Sequence, residues 1–419
     1  MLDIIKYYAE HIFNNVKTFL KWVCVAVISG TVVGMFSIVF SFCLKYVSDF
    51  REGHRYIIFL LPLAGVVIVM LYRMFNYSNN KGTNLVLSTI HTDTKLPFKM
   101  APLIFISTVI THMFGGSAGR EGAALQLGGS IGSKLGELLK LDEQDEHVII
   151  MCGMSAAFSA LFGTPTAAAI FSMEVVSVGV MYYAALVPCV FSALIASNFA
   201  STMGISPESF NVHDIPVMEI ENSVKIIIIA MACAAISVLF CMLLHSMGDF
   251  FRKYFKNQYI RITVAGIIIV VATLIIGNDD YLGAGINVIE RAIEGNVSPF
   301  AFIIKMLLTA ITLEAGFKGG EIVPSFFIGA TFGCLAGHIL SISPSLCAAV
   351  GMIAVFCGVT NCPVTSLLIS FELFGYKGAS YFMIAIAVSY LLSGYYGLYH
   401  DQTIVYSKYK AKFVNRKIR

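Results

Sequence analysis

The chain has 419 residues, of which 57% are hydrophobic and only 13% are charged. A soluble domain carries about 25% charged residues, so this composition excludes an ordinary soluble protein and predicts a chain that crosses a membrane several times. The formal net charge of +3 is too small to indicate nucleic-acid binding, and the basic residues near the ends suit anionic lipid headgroups instead.

Both ends of the chain are basic, which predicts that both lie on the cytoplasmic side of the cell membrane. Three lysines precede residue 22, and the C-terminal stretch YSKYKAKFVNRKIR contains six basic residues and no acid. The first long apolar run begins near Trp22 after a polar start, so we predict no cleavable signal peptide. We expect residues 1–19 to form a cytoplasmic amphipathic segment and residues 401–419 to form a basic, solvated cytoplasmic tail.

Long and short apolar runs alternate along the rest of the chain. Runs long enough to span a bilayer occur near residues 20–47, 56–75, 166–200, 223–246, 259–277 and 379–396. Shorter runs, interrupted by glycine or proline, occur near residues 100–113, 123–139, 147–162, 300–315, 322–340, 346–359 and 363–374. A straight span needs about 20 residues, so many of these runs are too short to cross alone. Short, broken apolar segments are typical of transporters whose discontinuous helices meet inside the membrane.

Two stretches of the chain repeat each other. GREGAALQLGGSIG from Gly119 aligns with GGEIVPSFFIGATFG from Gly319, a register that places Glu121 opposite Glu321. Further along, CGMSAAFSALFGTPTAAAIFSMEV aligns with VGMIAVFCGVTNCPVTSLLISFEL. The second alignment pairs Gly153 with Gly351, Pro165 with Pro363 and Glu174 with Glu372.

This near-constant register predicts two homologous halves within one membrane. We expect a first transmembrane repeat at residues 20–201, a linker at 202–222 and a second transmembrane repeat at 223–400. Repeats that share a fold generally form the substrate site where they meet.

The glycine-rich start of each repeated stretch predicts an anion site. A helix that begins at Glu121 leaves its first backbone N–H groups without intrahelical partners, and the helix dipole makes that end electropositive. Gly119 and Gly122 let a small anion approach the backbone closely. The stretch 319–324 has the same character, with Pro324 suited to a first helical turn. Two such N-termini facing each other bind an anion without a lysine or arginine in contact.

Glu121 is the candidate for proton coupling. When ionised, its carboxylate occupies the place of the anion, and when protonated it loses that attraction and swings away. A charge at membrane depth costs at least about 2.5 kcal/mol, which favours a functional role over a helix-end carboxylate paired with Arg120. We expect Arg120 to orient the loop. Glu321 either tunes proton affinity by like-charge coupling or caps its helix, and we expect Glu174 to be a helix-end charge near the cytosol.

These motifs resemble the CLC family of anion channels and anion/proton antiporters. GREGAALQLGG is similar to the family's G-[KR]-E-G-P-x-x-Q loop, whose glutamate is the external gate, and LFGTPTAAAIFSMEV is similar to the helix that follows. GYYGLYH lies where the family has its inner-gate tyrosine, which implies Tyr399, although an interfacial role and the nearby Tyr395 and Tyr396 remain alternatives. The resemblance implies an all-α membrane fold of two inverted-topology repeats with short, tilted and broken helices. It also implies a homodimer, no cofactor and no enzymatic activity.

The departures from chloride-type members resemble the fluoride-exporting branch. Thr83 in KGTNLVLS takes the serine position of the first anion loop, and GGEIVP has Ile322 in place of phenylalanine, preceded by Glu321. Val175 lies where chloride antiporters have an internal proton glutamate. The resemblance therefore implies a fluoride/proton antiporter. The expected anion-binding residues are Thr83, Gly119, Arg120, Gly122, Ile322, Val323 and Tyr399, with Glu121 gating and Glu321 tuning proton affinity.

Two alternatives stay open, and a metal site is not expected. The same fold could serve as a chloride or nitrate channel or as another anion/proton exchanger. GGSAG matches the G-x-S-x-G elbow of serine hydrolases at Ser117, with His112 nearby, but that elbow needs a preceding strand. NDD at residues 278–280 lacks calcium-ligand spacing, and the ten cysteines, mostly within apolar runs, predict buried thiols rather than a metal site.

Overall fold

A computed structural model describes residues 2–77, 82–92 and 95–418. The first eight helices are α1 (Leu2–Gly53), α2 (Leu61–Met74), α3 (Thr83–Thr89), α4 (Met100–Met113), α5 (Glu121–Leu138), α6 (Glu143–Phe162), α7 (Pro165–Glu174) and α8 (Leu186–Thr202). The next eight are α9 (Ile220–Tyr254), α10 (Gln258–Ile276), α11 (Ile286–Ile293), α12 (Ala301–Ala315), α13 (Ile322–Leu340), α14 (Pro344–Thr360), α15 (Pro363–Phe374) and α16 (Ala379–Leu392). The two sets follow the same order of long and short helices, as a duplicated fold requires.

The two sets run in opposite directions through the molecule. Helix α10 has 19 residues, about 28 Å of helix, so its ends mark opposite faces. Beyond its C-terminal end, Asp279 lies 3.2 Å from Arg55, just after α1. Near its start, Arg261 shares a cavity with Arg252, close to the end of α9. Helices α1 and α9 occupy equivalent places in the two sets and end on opposite faces, so the repeats have inverted topology.

Glycines set the closest helix crossing in each repeat, between α5 and α6 and between α13 and α14. A Cβ atom built on Gly128 would lie 2.2 Å from the carbonyl oxygen of Gly153. In the second repeat, a Cβ atom on Gly351 would lie 2.2 Å from the carbonyl oxygen of Gly329. Small residues of this kind let membrane helices approach backbone to backbone.

The register of the repeats differs by one residue from the sequence alignment at the first stretch. Helix α5 begins at Glu121 after the N-cap Arg120, and α13 begins at Ile322 after the N-cap Glu321. Glu321 is therefore the counterpart of Arg120, and the predicted pairing of Glu121 with Glu321 was wrong. Glycine-rich stretches align almost equally well one residue apart, so only the helix starts reveal the true register.

Seven helical segments within residues 2–77, 82–92 and 95–418 are long and apolar enough to cross a membrane. They are Lys6–Gly53, Arg55–Met74, Glu143–Phe162, Tyr183–Thr202, Ile220–Tyr254, Gln258–Ile276 and Ile322–Leu340. Two of these contain runs that were expected to be too short. Glu143–Phe162 begins at polar residues before its apolar run, where the Asp142 side chain accepts a hydrogen bond from the Asp145 N–H at 2.9 Å. Ile322–Leu340 has Pro324 in its first turn, so the proline does not interrupt the helix.

Two runs that were expected to span the membrane are interrupted instead. The run at 166–200 is divided between α7 and α8 by a short strand, β1 (Ser177–Val178), and by Gly179, whose positive φ of 87° favours glycine. The run at 379–396 is helical only as far as Leu392, because Gly394 adopts a φ of 62°.

Both ends of the chain have regular structure. Helix α1 has 52 residues without a break, so residues 2–19 belong to the same helix as the first span. The predicted solvated tail folds into β2 (Thr403–Tyr406) and β3 (Phe413–Lys417), an antiparallel hairpin whose β2 pairs in parallel with β1. Apolar residues alternate along the hairpin, and Ile404 and Ile418 are buried against β1. This burial stabilises the hairpin although the segment is positively charged.

Candidate anion and proton site

The loops that precede α5 and α13 pair directly with each other. The Gly119 N–H donates to the Gly320 carbonyl at 2.7 Å, and the Gly320 N–H donates to the Gly119 carbonyl at 2.7 Å. Helices α5 and α13 start within two residues of this bridge and leave it toward opposite faces. Their positive N-terminal ends therefore meet at the junction of the repeats.

The carboxylate of Glu121 lies between these two helix starts. It is fully buried, and its Oε2 accepts from the Arg120 backbone N–H at 3.0 Å. The carboxylate also lies close to the first turn of α13, since a Cβ atom built on Gly119 would lie 2.6 Å from Glu121 Oε2 and 3.0 Å from Pro324 Cδ. Its other oxygen, Oε1, has no hydrogen-bond partner within the described part of the chain. A negative group between the N-terminal ends of two helices occupies a position that suits a bound anion.

Arg120 holds the loop, as expected, through contacts on both sides. Its Nη2 donates to Glu208 at 2.8 Å, and its Nε lies 3.5 Å from Glu121 Oε1. Its backbone N–H donates to the Glu121 carboxylate, whereas its guanidinium group contacts the carboxylates of Glu208 and Glu121. The N–H of Gly119, one of the expected anion-binding residues, is used by the bridge and is therefore not free to donate to an anion.

Glu321 lies on the other side of the bridge from Arg120 and close to Gly122. A Cβ atom built on Gly122 would lie 3.1 Å from Glu321 Oε2 and 3.4 Å from Thr83 Oγ1. The Thr83 hydroxyl donates weakly to the Gly122 carbonyl at 3.4 Å and accepts from the Gln126 amide at 3.3 Å. The structure thus brings Thr83, Gly122 and Glu321 together, while Ile322 and Val323 are buried beside them.

The Tyr399 side chain completes this cluster. It is fully buried, and its hydroxyl has no hydrogen-bond partner among the residues that the structure describes. Both Glu321 and Glu121 act electrostatically on this hydroxyl. Tyr395, by contrast, bonds with Ser407 of the hairpin at 2.7 Å, and Tyr396 is only half-buried. Of the three neighbouring tyrosines, Tyr399 is the one that is fully buried.

Two cavities approach the junction from opposite faces. The upper cavity, about 830 Å³, is lined by Arg120, Glu208 and Asp279. The hairpin-side cavity, about 620 Å³, is lined by Thr83 and Glu321. The two neighbours of Glu121 in the chain approach different cavities: Arg120 lines one, and Gly122 lies beside Glu321 of the other.

Glu174 and Glu372 each cap a helix of the other repeat. The Glu174 carboxylate accepts from the N–H groups of Val364 and Thr365 at 3.0 and 2.8 Å and from the Thr365 hydroxyl at 2.6 Å. Glu372 accepts from the N–H groups of Thr166 and Ala167 at 2.9 and 3.0 Å and from the Thr166 hydroxyl at 2.5 Å. Glu174 ends α7, as predicted, and it is buried against α15 rather than solvated.

The hydrolase alternative does not fit the geometry. The Ser117 hydroxyl bonds with Thr309 at 3.2 Å, and His112 Nε2 bonds with the Gly119 carbonyl at 3.2 Å, so the two do not form a nucleophile–base pair. Asp279 and Asp280 make ion pairs with Arg55 and Arg291. In the part of the chain that the structure describes, no group of three metal-ligating side chains occurs.

Several residues of the site had no detectable sequence signal. Glu208 lies in the predicted linker, yet it binds Arg120. Gln402 is fully buried, and its amide donates to the Val175 carbonyl at 2.8 Å and to the Thr360 carbonyl at 3.0 Å. The Asn361 amide donates to the Tyr396 carbonyl at 3.0 Å. These contacts hold the Tyr399 segment, and they depend on the hairpin fold, which the sequence did not predict.

The sequence profile described as voltage gated chloride channel matches residues 64–394. The chain belongs to the CLC family. A CLC-family protein of Pseudomonas syringae pv. tomato, named chloride/fluoride channel protein, is 34% identical over 396 residues, which cover 93% of this chain and 88% of that protein. A solved CLC structure, described as a CLC-type fluoride/proton antiporter, has a TM-score of 0.88 at 30% identity and covers 91% of this chain and 98% of that chain.

A further CLC structure, described as a slow cyanobacterial Cl⁻/H⁺ antiporter, has a TM-score of 0.74 at 18% identity and covers 90% of this chain and 94% of that chain. This likeness shows the CLC fold alone. The protein is a CLC-family anion/proton transporter of the membrane rather than an enzyme, as the resemblance implied. The predicted fold of two inverted repeats with short and broken helices is confirmed.

Proposed function

We propose that this protein is a fluoride/proton antiporter that exports fluoride from the cytoplasm, with Glu121 as the gating and proton-carrying residue. The observation that carries the proposal is the Glu121 carboxylate, buried between the first turns of α5 and α13. In this position the ionised carboxylate competes with an anion for the same backbone N–H groups. Protonation removes that attraction, so anion entry and proton uptake alternate at one site.

The residues around Glu321 support fluoride as the anion. Fluoride is small and strongly hydrated, so it needs close donors to replace its water. The Tyr399 hydroxyl is a buried donor without a partner among the described residues, and the Thr83 hydroxyl makes only long hydrogen bonds. The names of two similar proteins, chloride/fluoride channel protein and CLC-type fluoride/proton antiporter, support the same choice. Glu321, beside Tyr399 and Gly122, would tune the proton affinity of the site.

Chloride transport is the second candidate, because the relative from Pseudomonas syringae carries both anions in its name. Liposomes that contain the purified protein and are loaded with fluoride or chloride separate the two. We expect fluoride efflux to exceed chloride efflux, as measured with ion-selective electrodes. Equal efflux rates would overturn the choice of fluoride.

Proton coupling is tested in the same liposomes with a pH-sensitive dye inside. A fluoride gradient should drive proton uptake in the wild type, and its absence would indicate a channel. Glu121→Gln should abolish this proton movement. Glu137→Gln is the matched control, because Glu137 is an exposed carboxylate on the same helix, paired with Lys134 at 2.7 Å. Proton uptake that persists in Glu121→Gln would refute the gating role.

We further propose that the hairpin side of the molecule faces the cytoplasm of a cell-membrane homodimer. The basic residues of the C-terminal hairpin and those at the end of α9, such as Arg252 and Lys253, support this orientation. The dimer rests on the family resemblance. Labelling of a cysteine introduced at Lys410 from one side of intact cells tests the orientation, and light scattering in detergent tests the dimer.

A further inference from the structure

The hairpin-side cavity contains a carboxylate that the proposed antiport cycle does not use. Glu314, the penultimate residue of α12, lines this cavity together with Glu321. Five residues, 316–320, separate α12 from Glu321. The two carboxylates act on each other electrostatically. Glu314 is half-buried, so its carboxylate is open to the same cavity that Glu321 lines.

A glycine of α9 makes room for this carboxylate. A Cβ atom built on Gly248 would lie 2.2 Å from Glu314 Oε2. A contact shorter than 3 Å is a clash, so any larger residue at this position would displace the carboxylate. The glycine thus permits Glu314 to lie where it does, against α9 and facing the cavity.

The carboxylate of Glu314 has cations nearby, but each is held by another group. Arg252 donates to the Asp249 carboxylate at 2.9 Å, and Arg261 donates to the Ala315 carbonyl at 3.0 Å. The Lys318 ammonium group lies 4.8 Å from the centre of the Tyr72 ring. Within the described part of the chain, no hydrogen bond or ion pair engages the Glu314 carboxylate. A carboxylate that borders a cavity large enough for several water molecules and has no fixed partner is free to gain and lose a proton.

Three further titratable groups line this cavity. They are His245 and His400, whose rings stack with centroids 3.7 Å apart, and Asp401, which pairs with Lys417 at 2.7 Å. The buried Nε2 of His245 has no hydrogen-bond partner among the described residues. Asp249 is taken by Arg252. Glu314 and Glu321 are the acids in this group that lack such a pairing.

We propose that Glu314 transfers protons between Glu321 and the water on the hairpin side. In the step, the proton that Glu121 carries passes to Glu321, and protonated Glu321 gives it through cavity water to the Glu314 carboxylate. Glu314 then releases the proton to bulk water, so all three groups end as carboxylates. The cavity of about 620 Å³ has room for water chains, because a water molecule occupies about 30 Å³. This inference rests on the proposed fluoride/proton antiport.

The test compares three variants in fluoride-loaded liposomes: Glu314→Gln, Glu314→Asp and the control Asp401→Asn. Proton-coupled fluoride efflux is recorded over a series of pH values that are equal on both sides. We expect Glu314→Gln to slow proton-coupled turnover on the order of 10-fold. A positioned proton-transfer group typically contributes about 10²–10⁴-fold, and we expect a smaller effect here because cavity water offers a slower route for the proton. Glu314→Asp should restore most of the rate, and Asp401→Asn should keep the wild-type rate and pH profile.

Gly248→Ala provides a second approach that leaves the acid in place. The added methyl displaces the Glu314 carboxylate, so turnover should fall in the same direction as in Glu314→Gln. Thermal unfolding of each variant shows whether the fold is intact.

Two results would overturn the inference. One is a wild-type rate and pH profile in a folded Glu314→Gln variant, and the other is a folded Glu314→Asp variant as slow as Glu314→Gln. If the wild type itself moves no protons, the antiport proposal fails instead, so the two failures are distinguishable.

Discussion

Removal of the Glu174 carboxylate should destabilise the protein more than removal of its counterpart, Glu372. Each carboxylate accepts three hydrogen bonds at a helix N-terminus of the other repeat. Glu174 and Thr365 are buried, whereas Glu372 is half-buried and Thr166 is exposed. The number of bonds is the same, so the difference in burial decides the difference in cost.

The magnitudes follow from what replaces the lost acceptor. In Glu174→Ala, the buried N–H and hydroxyl of Thr365 lose their partner without access to water, at about 1–3 kcal/mol for each unsatisfied donor. The total is roughly 3–5 kcal/mol when the loss of the Val364 contact is included. In Glu372→Ala, water reaches the exposed Thr166, and the cost falls to about 1 kcal/mol, which is typical of a lost N-cap.

The assay is thermal unfolding of both alanine variants in one detergent at one heating rate, because unfolding of such proteins is often irreversible. Glu174→Ala should unfold at a clearly lower temperature than Glu372→Ala. Equal midpoints would refute the reasoning from burial. Glu174→Gln, which retains one acceptor, should be intermediate in stability and should keep proton coupling; lost coupling in a stable Glu174→Gln variant would show a role beyond capping.

Three further outcomes follow from the structure. Gly153→Ala should abolish the folded peak in gel filtration, because the new Cβ would lie 2.1 Å from a backbone oxygen of α5, whereas the control Gly53→Ala, with open space around it, should behave as wild type. Tyr399→Phe should leave the unfolding temperature unchanged, because the hydroxyl has no partner among the described residues. The same variant should slow fluoride efflux in liposome assays, and unaltered efflux would exclude the hydroxyl from the pathway. Asp145→Asn breaks an exposed ion pair with Lys21 and should change the unfolding free energy by less than about 1 kcal/mol, so a larger loss would reveal an unexpected role.

The main features of the fold could be predicted because they depend on local chemistry. Low charge content indicated the membrane, and glycine or proline within apolar runs indicated broken helices. The junction was found for the same reason, since Glu121 is a carboxylate among glycines at a helix start. Helix propensity and hydrophobicity change little when a glycine-rich stretch is shifted by one residue, which is why the pairing of Glu121 with Glu321 was wrong.

The rest of the site depends on contacts between residues distant in the sequence. Glu208 and Gln402 are ordinary polar residues until the fold places them against Arg120 and Val175. The C-terminal hairpin was missed because its charge pattern suited a solvated tail, while its burial arises only through pairing with the two-residue strand β1. Glu314 likewise has no motif, and only the cavity and Gly248 distinguish it from a surface acid.

The bridge between Gly119 and Gly320 has a consequence for the ancestry of the molecule. Its two hydrogen bonds exchange the same groups in both directions, and the caps by Glu174 and Glu372 do so as well. Contacts of this reciprocal kind are those of a two-fold symmetric dimer, in which one surface binds its own copy. A single repeat that inserted in both orientations could therefore have assembled with itself through these same contacts before duplication. Once fused, the copies were free to diverge, and Arg120 opposite Glu321 gives the two faces different charges.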